Sequence, residues 1–287
     1  MEANNSEEKW DLIIEQKHHW LDLDIRSIWK YKDLIVLFVR RDFVAQYKQT
    51  LLGPLWHIIQ PLFTTFLFTI IFGQIANIKT DGSPRPLFYL SGLIIWGLFS
   101  GTVLSTSATF VNNAAIFGKI YFPRLVSPIS VVISNIIRFG IQFVLFLIVW
   151  VYYLYFDGSS FHPHPGISIL FIPVIVLIIS IMGMGCGIII SSLTTKYRDL
   201  SMFTGFALQL LMYLSPVIYP AVIWGRYEWV MKYNPITYMI DMCRYAFLGT
   251  GQISIHGILY SLACSVILLT IGIILFNRVE KSFMDTV

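Results

Sequence analysis

The distribution of charge constrains this chain more than any other feature, because long stretches carry none. Residues 49–78 form a window of 30 positions without Asp, Glu, Lys or Arg, and residues 86–118 a window of 33. Windows of 13 (125–137) and 18 (139–156) flank Arg138; then 158–195 gives 38, 200–225 gives 26 and 245–277 gives 33. A helix crosses the hydrocarbon core with about 20 mostly apolar residues, because no water is present there to satisfy an open backbone. Six windows reach that length. They predict an all-α integral membrane protein with six transmembrane helices, at about 51–78, 87–111, 130–156, 167–193, 200–219 and 255–277.

Composition agrees. Charged residues make up 13% of the 287 positions, against about 25% in an ordinary soluble domain. That shortage excludes a disordered chain, a nucleic-acid-binding tail and almost every soluble enzyme fold. Orientation is read from Lys and Arg: with the N-terminus inside, 14 fall on the cytoplasmic side and five outside, with Arg138 unassigned. This bias predicts both termini in the cytoplasm of a bacterial plasma (inner) membrane.

The first 24 residues hold seven acidic side chains against Lys9 and Lys17, and lack the pattern of a signal peptide. Residues 25–54 reverse sign. Asp22 or Asp24 could cap a helix through Ile25, Ile28 and Trp29, while Leu34–Val39 is apolar all round. Residues 1–50 thus read as a cytoplasmic segment with a helix lying at the inner surface, partly buried against protein. A simple basic membrane anchor is the alternative. Residues 279–287 read as a cytoplasmic tail.

Between Pro216 and Gly251, charges and prolines interrupt the apolar pattern. Trp224, Tyr227, Trp229 and Tyr233 are followed by Asn234-Pro235, a break signal because proline pushes the preceding residue out of the helical region. Two short re-entrant helices are expected over about 221–249, folded over the fifth and sixth spans as an outer lid. An interfacial aromatic belt is the plainer reading.

Several chemistries find no support. Gly118-Lys119 is followed by Ile120, and Asn113 stands where a phosphate-binding loop needs its first glycine, so the chain should not hydrolyse ATP. His162 and His164 lie in a proline-rich loop with no converging ligand, and no metal is expected. GxSxG and HExxH are absent. Cys186, Cys243 and Cys264 form no disulfide or CxxC pattern. Gly183 and Gly187 make one GxxxG, which suits a close helix–helix contact. Arg138 reads as a snorkelling residue at the inner interface.

Against this background a series of short motifs stands out. They are Arg41-Asp42-Phe43, Tyr47-Lys48-Gln49-Thr50, Leu52-Gly53-Pro54-Leu55-Trp56 with Pro61, and Gly118-Lys119-Ile120-Tyr121-Phe122-Pro123-Arg124 with Pro128. Lys196-Tyr197-Arg198-Asp199-Leu200, Ser215-Pro216-Val217-Ile218-Tyr219 and Asn234-Pro235 follow. In this order and spacing, from about residue 25 onward, the chain resembles permease subunits of ABC-2 exporters of O-antigen, capsular polysaccharide and teichoic acid.

The resemblance implies a homodimer working with two copies of a separate ABC ATPase subunit, which would bind ATP and Mg, the chain itself having no cofactor. It implies a polyprenyl-pyrophosphate-linked polysaccharide as cargo. It places ATPase coupling at Arg41, Lys119, Tyr121, Phe122, Pro123 and Arg124, and at Lys196, Tyr197, Arg198 and Asp199. Trp56, Phe63, Phe66, Phe99, Tyr213 and Tyr219 are candidate path-lining aromatics, because aromatic faces stack on sugar C–H faces. Trp224, Tyr227, Asn234 and Pro235 are the outer gate. The alternatives are an ABC-2 exporter of small lipids or drugs, and a membrane enzyme of lipid-linked sugar assembly, for which Asp241 would be the best-placed acid. A passive scaffold is a further one.

Overall fold

The computed structural model describes residues 25–48, 50–117, 122–156, 166–194, 197 and 199–283, and every regular element among them is helical. The chain begins with α1 (Ile25–Lys30) and α2 (Lys32–Tyr47). A 3-10 turn at Gly53–Leu55 then leads into α3 (Trp56–Phe68). Gly53 adopts φ +48°, a conformation that a side chain would strain, and Pro54 follows where a helix start needs no N–H. Beyond α3 the helix widens into a π segment, Thr69–Ile75, in which Gly73 lets the Arg85 side chain cross; a Cβ there would stand 2.7 Å from Arg85 Cδ.

Next come α4 (Arg85–Ser107), α5 (Thr109–Phe117), α6 (Val126–Tyr155) and α7 (Ile172–Thr194), the last preceded by a 3-10 turn at Ile167–Phe171. α8 (Leu200–Tyr213), a 3-10 stretch at Ala221–Tyr227, α9 (Glu228–Tyr233), α10 (Pro235–Leu248) and α11 (Ile255–Phe283) complete the chain. α4 is the central helix, enclosed by α7, α6, α10 and α3.

Glycines allow this close packing. Gly183 and Gly187 of α7 meet Thr102 and Thr106 of α4, where added Cβ atoms would lie 2.9 and 2.5 Å from the threonine Cβ atoms. On another face of α7, a Cβ added to Gly185 would stand 2.6 Å from the Leu269 backbone nitrogen of α11, and Gly272 returns the contact. Lipid gives helices no hydrophobic reason to associate, so close backbone approach supplies the packing energy. The GxxxG expectation is met, and α7 uses glycine against two partners.

Five helical stretches are long and apolar enough to cross a membrane: Gly53–Ile75, Arg85–Ser107, Val126–Tyr155, Ser168–Thr194 and Ile255–Arg278. They correspond to the first four and the sixth expected spans, with shifted ends. The third starts at Val126 rather than 130, which puts Arg138 in its fourth turn and not at its beginning. The last helix runs through Phe283, so residues 279–283 of the expected tail are helical.

The fifth expected span, 200–219, is not one helix. α8 has 14 residues, about 21 Å at about 1.5 Å per residue, short of a hydrocarbon core of about 30 Å. Pro216 disfavours helix at Ser215, and the chain continues as a buried turn through Ser215, Pro216, Val217 and Ile218.

The expected pair of outer helices is three pieces: the 3-10 stretch, α9 and α10. α10 contacts the sixth expected span, α11, but from within the bundle and not as an outer cover. It packs inside the bundle, chiefly on α4 and α11, and the indole N–H of Trp150 on α6 donates to the Phe247 carbonyl at 2.8 Å.

Candidate coupling surface and substrate path

At one end of the bundle, α2 is held against α6 by a small separate core. Phe38 (4% exposed) meets Phe122 (5%) edge-on with ring centroids 5.7 Å apart, over Val126. Arg41 lies over the Phe38 ring at 4.6 Å, pairs with Asp42 at 2.8 Å, and donates to Asn113 Oδ1 of α5 at 3.0 Å. Asn113 in turn donates to Ser127 Oγ of α6 at 2.9 Å. Two residues assigned to coupling, Arg41 and Phe122, are thereby brought together, and they join α2 and the segment before α6 into one body. Beside them Tyr47 hydrogen-bonds His57 of α3. Burial raises the Tyr47 phenol above its ordinary pKa, with the nearby Arg138 opposing.

Pro123 and Arg124 are partly exposed at the start of α6, while Tyr197 and Asp199 are exposed before α8. Lys119, Tyr121, Lys196 and Arg198 lie outside the described residues, as do His162 and His164.

Next to this junction, α2, α4, α5 and α6 line a half-open cavity of about 220 Å³. Its walls are polar apart from Val131: Arg41 and Asp42 from α2; Ser105, Thr109, Asn112 and Asn113 from α4 and α5; and Ser134, Asn135 and Arg138 from α6. Arg138 does not snorkel freely. Its guanidinium donates to Asn135 Oδ1 at 3.2 Å and to Gln46 Oε1 of α2 at 2.6 Å.

At the opposite end, the broken end of α8 is closed by two residues of the 234–248 segment. Asn234 caps α10 by accepting from the Ile236 N–H at 3.0 Å, and its amide donates to Leu214 O at 3.1 Å and Ser215 Oγ at 2.8 Å. Arg244, 2% exposed, stacks 3.6 Å above the Phe88 ring and donates to the carbonyls of Val217 and Phe88 at 3.1 and 3.4 Å. Non-helical backbone at membrane depth persists only where protein groups satisfy it, and these two side chains do so. Pro235 opens α10, where a missing N–H is harmless.

Sequence reasoning passed over Arg244. An arginine inside an otherwise apolar, aromatic helix was the available signal. Asp241 lies 4.0 Å from Arg244 Nη1, within the same packing.

The path aromatics divide. Trp56, Phe63 and Phe66 share one outward face of α3, at 51%, 63% and 59% exposure. Tyr213 shares an outward face of α8 with Phe203, Phe206 and Leu210. Both helices flank α4. Phe99 differs: it is 3% exposed and packed against Trp96 in the core, so its ring faces no open surface. Tyr219 is partly buried against the core. Tyr227 is exposed on the 3-10 stretch that also carries Trp224.

The family model described as ABC-2 type transporter matches residues 33–248. An O-antigen export system permease protein RfbA of Klebsiella pneumoniae is 30% identical over 256 residues, covering 88% of this chain and 94% of the relative. A polysialic acid transport protein KpsM of Escherichia coli is 24% identical over 253 residues, with 86% and 93% coverage. An inner membrane transport permease YadH of Escherichia coli strain K12 is 24% identical over 202 residues, with 68% and 77% coverage. With a bundle of apolar helices and a family match over most of its length, the chain belongs to the membrane subunits of the ABC-2 type transporters.

Proposed function

We propose that this permease is the channel-forming subunit of an ATP-driven exporter that carries a polysaccharide on a polyprenyl-pyrophosphate lipid across the plasma membrane. It works as a homodimer with two separate ABC ATPase subunits, with both termini in the cytoplasm. The observation that carries this reading is the pair of uncovered aromatic faces on α3 and α8, both of which pack on α4. Such faces suit a second copy of the chain, and between two copies they offer stacking surfaces for sugar rings. The O-antigen and polysialic acid export of the RfbA and KpsM relatives supports a glycan cargo.

In this reading ATP binding closes the partner ATPases on the 112–128 segment, and α2 moves with it through Phe38 and Phe122. The 221–233 segment, which exposes Tyr227, Trp229 and Tyr233 and is hinged at Asn234, opens on the outer side, while α10 stays fixed in the bundle. Deleting the gene and extracting lipid-linked glycan from each leaflet tests the proposal. The expected result is full-length polymer accumulating inside and lost from the surface. Normal surface glycan would overturn the cargo assignment and favour a small-lipid or drug exporter; complete absence of polymer would favour a synthetic enzyme.

A further inference from the structure

We infer that the polar cavity between α2, α4, α5 and α6 binds a phosphate-type anion, presented as a lipid headgroup, with Arg138 as its central cation. This rests on the export reading above and assigns a recognition site within it.

The charge balance points to an anion. Arg41 is already neutralised by Asp42 at 2.8 Å. Arg138 has only neutral partners, the side-chain oxygens of Asn135 and Gln46, and its Nε has none. Among the described residues no carboxylate pairs with it. The three charged groups on the walls therefore leave one positive charge in excess. Asp42 also acts on Arg138 electrostatically but is already paired with Arg41, so Arg138 is partly withdrawn from water without a counter-charge of its own, which is costly, and a phosphate would supply one with charge-assisted hydrogen bonds. On the facing wall, Ser105 Oγ and the Asn112 amide make no hydrogen bond within the chain among the described residues, and they offer neutral donors to the same ligand.

Position favours a lipid source over a soluble one. Arg138 lies about 18 Å along α6 from Val126, at about 1.5 Å per residue. A polar seam flanks Arg138 on both sides: Asn135, nearer Val126, and Gln142, deeper along α6, face Gly101 and Gly97 of α4, at 3.0 and 3.5 Å from where their Cβ atoms would be. The α2 wall exposes Val36, Leu37 and Val44, apolar residues that place it at the lipid boundary. A headgroup can thus enter from the membrane while its chains remain in lipid.

The test uses the full-length chain in phosphatidylcholine nanodiscs, titrated with a polyprenyl diphosphate and, separately, with inorganic pyrophosphate. Arg138→Gln is expected to weaken polyprenyl diphosphate binding by about tenfold or more. Asn112→Asp, at an exposed side chain that leaves packing alone, is expected to weaken it by repulsion, whereas Arg226→Gln, far away in sequence on the 3-10 stretch, should leave it unchanged. If pyrophosphate alone binds as tightly as the lipid, the anion class stands and the lipid source is overturned. Wild-type affinity in both Arg138→Gln and Asn112→Asp overturns the site itself. The readout is binding by purified protein, so it stays distinct from the gene-deletion result that judges the export reading.

Discussion

Arg244 on α10 donates to the carbonyl oxygen of Val217, in the turn that ends α8, at 3.1 Å while its guanidinium lies 3.6 Å above the Phe88 ring of α4. One side chain thus joins three elements and satisfies backbone that proline has released from helix. Gly92 makes the arrangement possible, since a Cβ there would stand 3.0 Å from Val217 O and 3.1 Å from Arg244 Nη2.

Removing that side chain should be severe. Arg244→Ala removes the side-chain donor to the Val217 carbonyl, while Phe88 O keeps Ser91 Oγ at 2.9 Å, and opens a void beside Phe88, a loss of about 3 kcal/mol or more. The thermal midpoint of the detergent-purified protein should fall clearly, whereas Asp241→Asn should cost less, because the carboxylate is 4.0 Å away and the carbonyl bonds remain. Equal midpoints for Arg244→Ala and the parent would refute the locking role.

The α4–α7 contact makes a steric prediction. Gly187→Val places a side chain where even a Cβ would stand 2.5 Å from Thr106 Cβ, and overpacking of this kind costs about 1–3 kcal/mol or more. Folded yield in the membrane should drop. Thr106→Gly in the same chain should restore part of it, because it removes the colliding atom; a double variant no better than Gly187→Val alone would show that the contact is not the cause.

Phe38→Ala should loosen α2 without disturbing the main core. Deleting a buried ring costs about 3–5 kcal/mol, here charged to the small cluster of Phe38, Phe122 and Val126. Limited proteolysis across 48–52 should speed up while the α4–α11 bundle stays resistant. Cleavage at the parent rate would mean that other contacts hold α2.

For the path, Phe63→Ala combined with Tyr213→Ala, at rings exposed on the single chain, is expected to reduce surface glycan while the protein still reaches the membrane at the parent level. Export at the parent level would remove these two rings from the path.

The coupling assignment predicts that Arg124→Ala lowers recovery of the partner ATPase in co-purification while the permease still assembles. Undiminished recovery together with undiminished transport would end that assignment.

Charge-free windows alone located five helical spans, because the cost of burying charge in lipid acts on every residue of a segment and needs no knowledge of its neighbours. The same local logic made the Gly183/Gly187 contact and the Asn234-Pro235 break legible. Tertiary structure alone decided the rest. Pro216 lay inside the expected fifth span, 200–219, and only the structure showed that helix stops before it and that the carbonyls of Leu214 and Val217 meet Asn234 and Arg244, from residues 20 and 27 positions later. Arg138 looked like a snorkelling cation because sequence shows a charge without its surroundings; the surroundings turned out to be Gln46, 92 positions earlier, and a polar cavity. Phe99 and Phe63 are the same residue type in similar apolar windows, and only the enclosure of α4 by its neighbours buried one and left the other open. Hydropathy is summed along the chain and can be read from it, whereas hydrogen-bond partners and exposed faces depend on which helices become neighbours.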